Sequence, residues 1–112
     1  MTELAEISII GGAGHIGLPL AVKFAEKKIK VNILDSNKRN LLKIKNKKPP
    51  FKEVDLNRKL KNVLKEKRLF FSSDISSICN SKFVIICIGT PISNKLKPEL
   101  KQFFSLLKEI KK

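Results

Sequence analysis

At 112 residues the chain has room for one domain, burying roughly two-thirds of the surface that its unfolded form exposes. A formal net charge of +14 points to anionic partners, yet only three of the 24 basic residues are arginine and there is no Trp or Tyr. With the usual grips on bases so scarce, a specific nucleic-acid site is not expected, and the lysines read as a solvated surface.

The start, MTELAEISII, has two acids and no basic region before its apolar run, so it does not read as a signal peptide. No apolar run approaches the ~20 residues of a membrane span, and a cytoplasmic location is expected. Residues 6–10 are β-branched with little alternation, which suits a strand buried on both faces of a parallel sheet. Glycines break it. A helix follows, with Gly17, Leu20, Ala21, Phe24 and Ala25 on one face and Lys23, Glu26 and Lys27 opposite. Pro19 should cost that helix a backbone bond if it begins near Gly14. Residues 31–34 form a second buried strand. Ser36 or Asn37 caps a short helix carrying Leu41, Leu42 and Ile44.

Paired prolines make the stretch NKKPPF, residues 46–51, the clearest loop. Asp55 is placed to cap a third helix bearing Leu56, Leu60, Val63 and Leu64. Residues 69–72 read as a strand, 74–80 as a helical turn or two, and FVIICI, residues 83–88, as a central strand. Pro98 suits the first turn of a last helix with Leu100, Phe103, Phe104, Leu107 and Ile110 at helical spacing. Cys79 and Cys87 have no CxxC spacing and no histidine cluster beside them. No metal site is expected, and two reduced, mostly buried thiols are.

The order β-α-β-α-α-β-α-β-α predicts an α/β fold, a doubly wound parallel sheet in strand order 3-2-1-4. A fifth strand would be expected next. The sheet is therefore read as Rossmann-like and truncated to about four strands, with one edge and one face of FVIICI open to association.

The residues from Gly12 to Gly17 fit G-x-G-x-x-G, after a strand and opening a helix, with Asp35 ending the next strand 23 residues beyond Gly12. Gly12 permits the tight turn, Gly14 lets the backbone approach a pyrophosphate, and Gly17 lets helix and strand pack closely. Amides around His15 and Ile16, at the positive end of the helix, meet phosphate charge. A carboxylate at Asp35 accepts from the ribose hydroxyls and repels a 2′-phosphate, so NAD is expected over NADP. Lys38 and Arg39 read as surface charges. His15 could donate to a phosphate or serve as a base, but packing is the plainer reading. Thr90 ends the fourth strand, where ligands of such sheets bind; it either faces the cofactor or simply leaves the strand.

The segments GGAGHIGLPLA, VNILD, PPFKE, SSDI and IICIGTP together resemble the N-terminal domain of the UDP-glucose/GDP-mannose dehydrogenase family, over about residues 6–92. Within that family it looks most like the bacterial UDP-sugar 6-dehydrogenases. The resemblance implies oxidation of the C6 alcohol of a nucleotide sugar to a carboxylate by two NAD-dependent hydride transfers, with a cysteine thiolate holding the aldehyde. It carries Gly12, Gly14, Gly17, Asp35 and Thr90 to the cofactor and matches Glu53 to a family glutamate of unassigned role. The family's catalytic cysteine, lysine and asparagine lie beyond residue 112, and neither Cys79 nor Cys87 matches that cysteine. Residues 46–48 lack a glycine usual in the family, and Ser81 and Lys82 replace a usual acid.

Residues 1–112 are therefore expected to be a partial NAD-binding domain without the catalytic and sugar-binding domains, inactive alone. A nucleotide sugar would bind only with a complementary catalytic half. The alternatives are a non-enzymatic NAD-binding module acting through a partner protein or self-association, a dehydrogenase of hydroxyacyl thioesters, and a basic protein binding nucleic acid or anionic lipid.

Overall fold

The structure is a computed structural model that describes residues 5–49, 51, 52, 55–88 and 101–111. Four parallel strands, β1 (Ile7–Ile10), β2 (Val31–Leu34), β3 (Leu69–Ser72) and β4 (Phe83–Ile86), form one sheet in the order β3-β2-β1-β4. The register pairs Ile7 with Val31 and with Phe83, and Val31 with Leu69. Between the strands run α1 (Gly17–Glu26), α2 (Lys38–Lys45), α3 (Leu56–Lys65) and a 3₁₀ helix, η1 (Ile75–Asn80); α4 (Lys101–Lys111) comes last. This is the expected element order and strand order, a Rossmann-like fold. Thr90, Glu53 and Pro98 lie outside the described residues.

Alternation along the strands divides the protein into two faces. Ile7, Ile9, Val31 and Ile33 face a core completed by Leu18, Ala21 and Val22 of α1, Leu41 and Ile44 of α2, and Leu60 and Val63 of α3. Burial of these side chains, at about 1.5–3 kcal/mol for each large one, outweighs any local preference. The buried face of α1 is centred on Leu18, Ala21, Val22 and Ala25, whereas Leu20 and Phe24 sit at its rim. Leu42 turns outward and is 60% exposed.

Ser8 and Asn32 point to the opposite face. There the Asn32 amide donates to Ser8 Oγ at 3.2 Å and to Ser77 Oγ at 2.9 Å, and Ser8 also bonds Ser81. Two buried polar side chains on central strands are thus satisfied by η1 and the residue that follows it.

Several local expectations are corrected. Because α1 begins at Gly17, Pro19 lies in its first turn, where a missing N–H breaks no helical bond. Asn37 caps α2, accepting from the Asn40 amide at 3.0 Å, but Asp55 makes no side-chain cap and sits at φ 60°. Its carboxylate is turned toward Arg58 at 3.7 Å instead. Cys79 is exposed and Cys87 only half-buried, since one rides on the surface helix η1 and the other follows the outermost strand. That strand, β4, is an edge rather than a centre among the described residues, with Phe83 63% exposed.

Helices α1, α2 and α3 end on Lys28, Lys47 and Lys67 at φ between 58° and 68°, the left-handed position that glycine usually takes. The Lys28 and Ile29 amides reach back to Ala25 and Phe24, and those of Lys47 and Lys48 to Ile44 and Lys43, so the last turns stay bonded.

Candidate functional site: the glycine turn at the sheet's carboxyl end

The turn after β1 is fastened to its neighbours by backbone bonds. The Gly11 and Gly12 amides both donate to the Leu34 carbonyl, at 2.8 and 3.2 Å, and the Cys87 amide donates to the Ile10 carbonyl at 2.7 Å. Gly11 has φ +83°, and a Cβ there would lie 2.3 Å from the Cys87 carbonyl oxygen. A Cβ on Gly12 would lie 2.8 Å from Ile33 Cγ2, and one on Gly17 would lie 2.4 Å from the Gly11 oxygen. These three glycines are required by packing.

Gly14 is different. A Cβ there would meet only the Gly11 oxygen, at an ordinary 3.4 Å. Nothing else among the described residues fills that space.

Helix α1 starts without a side-chain cap. The Gly14 amide bonds the Gly11 carbonyl and the Leu18 amide bonds the Gly14 carbonyl, but the amides of His15, Ile16 and Gly17 donate to no acceptor among the described residues. Three bare donors at the positive end of a helix, beside a glycine with open space, suit an anion.

Asp35 closes the other side. Its Oδ2 accepts from the Ala13 amide at 3.1 Å and its Oδ1 from the Asn37 amide at 2.9 Å. The carboxylate is thereby pinned to the glycine turn, with lone pairs left on each oxygen for ligand hydroxyls. A cavity of about 290 Å³ opens beside it, lined among others by Gly11, Asp35, Ser36, Ile75, Ile88 and Leu106. That is at the lower end of the ~300–1,000 Å³ typical of ligand sites. A bare anion cradle, a carboxylate pinned beside it and a cavity with both apolar and polar walls match in kind the diphosphate, ribose and base of a dinucleotide.

The expected site residues Gly12, Gly14, His15, Ile16, Gly17 and Asp35 are all brought to this end of the sheet. Gly11 belongs with them and was foreshadowed only by being one of a glycine pair. Phe51 entered the sequence reading only as part of the loop NKKPPF and the segment PPFKE, with no site role; its ring stacks on His15 with centroids 4.2 Å apart.

The family model described as "UDP-glucose/GDP-mannose dehydrogenase family, NAD binding domain" matches residues 5–112. The chain is 39% identical over 97 residues to the UDP-N-acetyl-D-glucosamine 6-dehydrogenase of Salmonella typhi, covering 85% of this chain and 21% of that protein. It is 33% identical over 82 residues to the UDP-N-acetyl-D-mannosamine dehydrogenase of Pyrococcus horikoshii, covering 73% and 20%. Among solved structures, a ternary complex of GDP-mannose dehydrogenase from Pseudomonas aeruginosa superposes with TM-score 0.87 at 25% identity, covering 94% of this chain and 24% of that one. The UDP-D-ManNAc dehydrogenase structure from Pyrococcus horikoshii gives 0.84 at 29% identity, covering 93% and 24%. The chain thus spans about a fifth of the length of the relatives it matches.

Proposed function

Because the chain belongs to the UDP-glucose/GDP-mannose dehydrogenase family through its NAD binding domain, we propose that it supplies the cofactor-holding portion of a nucleotide-sugar 6-dehydrogenase. Such an enzyme oxidises the C6 alcohol of a UDP-sugar to a carboxylate, and NAD, when bound, supplies the hydride acceptor. The observation that carries this reading is the row of bare amides at His15, Ile16 and Gly17 beside the open Gly14. In this reading those amides hold the diphosphate, Asp35 accepts from the ribose hydroxyls and disfavours a 2′-phosphate, and Ile75 and Leu106 wall the base. Thr90 would approach from the end of the fourth strand. Residues 1–112 act as one cofactor domain and depend on a catalytic half for the oxidation; the relatives' names favour a UDP-N-acetyl-hexosamine as that half's substrate.

Calorimetric titration of the 112-residue chain with NAD, paired with an absorbance assay for NADH after adding a UDP-sugar, tests this. Binding without turnover is expected. Failure to bind NAD would sink the cofactor reading, and turnover by the chain alone would sink the division of labour.

A second reading, a non-enzymatic NAD-binding module acting through a partner, is favoured by the edge strand. Phe83 and Val84 are 63% and 39% exposed, and β4 pairs only with β1 among the described residues. Self-association through β4 should then appear in sedimentation velocity and fall in Val84→Lys. An unchanged distribution would exclude that edge.

A further inference from the structure

The loop between α2 and α3 holds one large apolar residue, Phe51, and the fold brings it back over the start of α1. There its ring lies against the His15 imidazole, centroids 4.2 Å apart and planes 23° from parallel. Phe51 is half-buried and also packs against the hydrophobic core, so its position is set by the protein interior. His15 is exposed, and its ring nitrogens have no hydrogen-bond partner among the described residues. Its own amide is the first of the three bare donors.

We infer that Phe51 is a positioning residue that holds the His15 imidazole over the glycine turn, where a ring N–H donates to the diphosphate of the cofactor. The inference rests on the proposed function, because it presumes a dinucleotide in that site. An exposed histidine would otherwise sample several rotamers and lose that freedom on binding. Stacking on an anchored ring removes much of the loss beforehand. Neutral or protonated, the imidazole keeps at least one N–H, and a bond to a charged phosphate oxygen is stronger than one to a neutral acceptor. A loop that served only to close the core would need Phe51 buried but would need nothing of His15.

The test compares two probes on the 112-residue chain: NAD, which carries the diphosphate, and adenosine, which lacks it. His15→Ala and Phe51→Leu should each weaken NAD binding roughly tenfold, as expected for one charge-assisted bond, and leave adenosine binding within about twofold. Phe51→Leu keeps an apolar side chain against the core, and Phe51→Tyr should restore NAD affinity by restoring the stack. The double variant should bind NAD no more weakly than His15→Ala alone, since both remove one interaction. Unchanged NAD affinity in either single variant overturns the proposal, as does equal weakening of both probes, which would mark a structural role. If the unaltered chain binds neither probe, the cofactor reading itself falls and takes the inference with it.

Discussion

Gly14→Ala separates folding from binding at the glycine turn. The added Cβ would meet one atom, the Gly11 oxygen at 3.4 Å, and Gly14 lies outside the left-handed region, so alanine fits without strain. Fewer unfolded conformations should then stabilise the chain by about 0.4–1 kcal/mol. The same methyl, however, fills the one open space beside the bare amides. Crowding a ligand there by a methyl costs on the scale of overpacking, about 1–3 kcal/mol, or roughly 5- to 150-fold in NAD affinity. Gly17→Ala is the contrasting variant: its Cβ would stand 2.4 Å from the Gly11 oxygen and 2.8 Å from the Gly12 Cα, both backbone atoms. Helix α1 would have to retreat by about an ångström, losing about 1–3 kcal/mol of stability together with binding. Thermal unfolding and calorimetric titration of both variants give the four numbers needed. The reasoning is refuted if Gly14→Ala binds NAD like the unaltered chain, or if it unfolds as readily as Gly17→Ala.

Asp35→Ala leaves the Ala13 and Asn37 amides without their acceptor and should cost about 1–3 kcal/mol in urea unfolding, with NAD affinity falling at least about tenfold; a neutral outcome would mean water replaces the carboxylate fully. Asn32→Ala strips two donated bonds from a residue only 6% exposed, so a loss of about 1–3 kcal/mol is expected from the same assay, whereas a change in NAD affinity is not. Replacing Lys28 or Lys47 by glycine should stabilise by about 1 kcal/mol each, because glycine accepts the left-handed conformation without a Cβ clash; no gain in melting temperature would argue that the lysine side chains contribute there. Bonds from the Ser76 amide and hydroxyl hold the Asp74 carboxyl below its usual range. Its contribution to stability is therefore present above the ordinary carboxylate pKa and is lost as pH falls through the lowered value. An NMR titration should show the Ser76 amide shift moving with that lowered midpoint, and a midpoint at the ordinary value would contradict these Ser76–Asp74 bonds.

The fold was legible because hydrophobic period and breaker residues agree over most of the chain. Two mainly apolar runs, ISII at 7–10 and VNIL at 31–34, read as buried parallel strands, and the apolar residues at helical spacing between them read as a helix. Where local chemistry speaks alone it misled: Asp55 looked like a cap but sits at φ 60° and turns to Arg58. Helix ends were hard to read for a related reason, since lysines occupy the positions where glycine would have announced a stop. Exposure of Cys79 and Cys87 was misjudged because burial depends on which neighbours arrive, not on the residue's own polarity.

The site divides in the same way. The glycine spacing, the helix that follows and the acid at Asp35 lie within one continuous stretch, so their chemistry could be read from residue order, and with it the class of ligand. Tertiary structure decided what no spacing encodes. It showed that Gly11, Gly12 and Gly17 are held by packing while a Cβ on Gly14 would meet only one atom at ordinary contact distance. It tied the Asp35 carboxylate to Ala13, and it carried Phe51 from a distant loop onto His15. The physical reason is that a periodic pattern reports which face of an element is apolar. Which two surfaces then meet is set by the crossover path of the whole sheet.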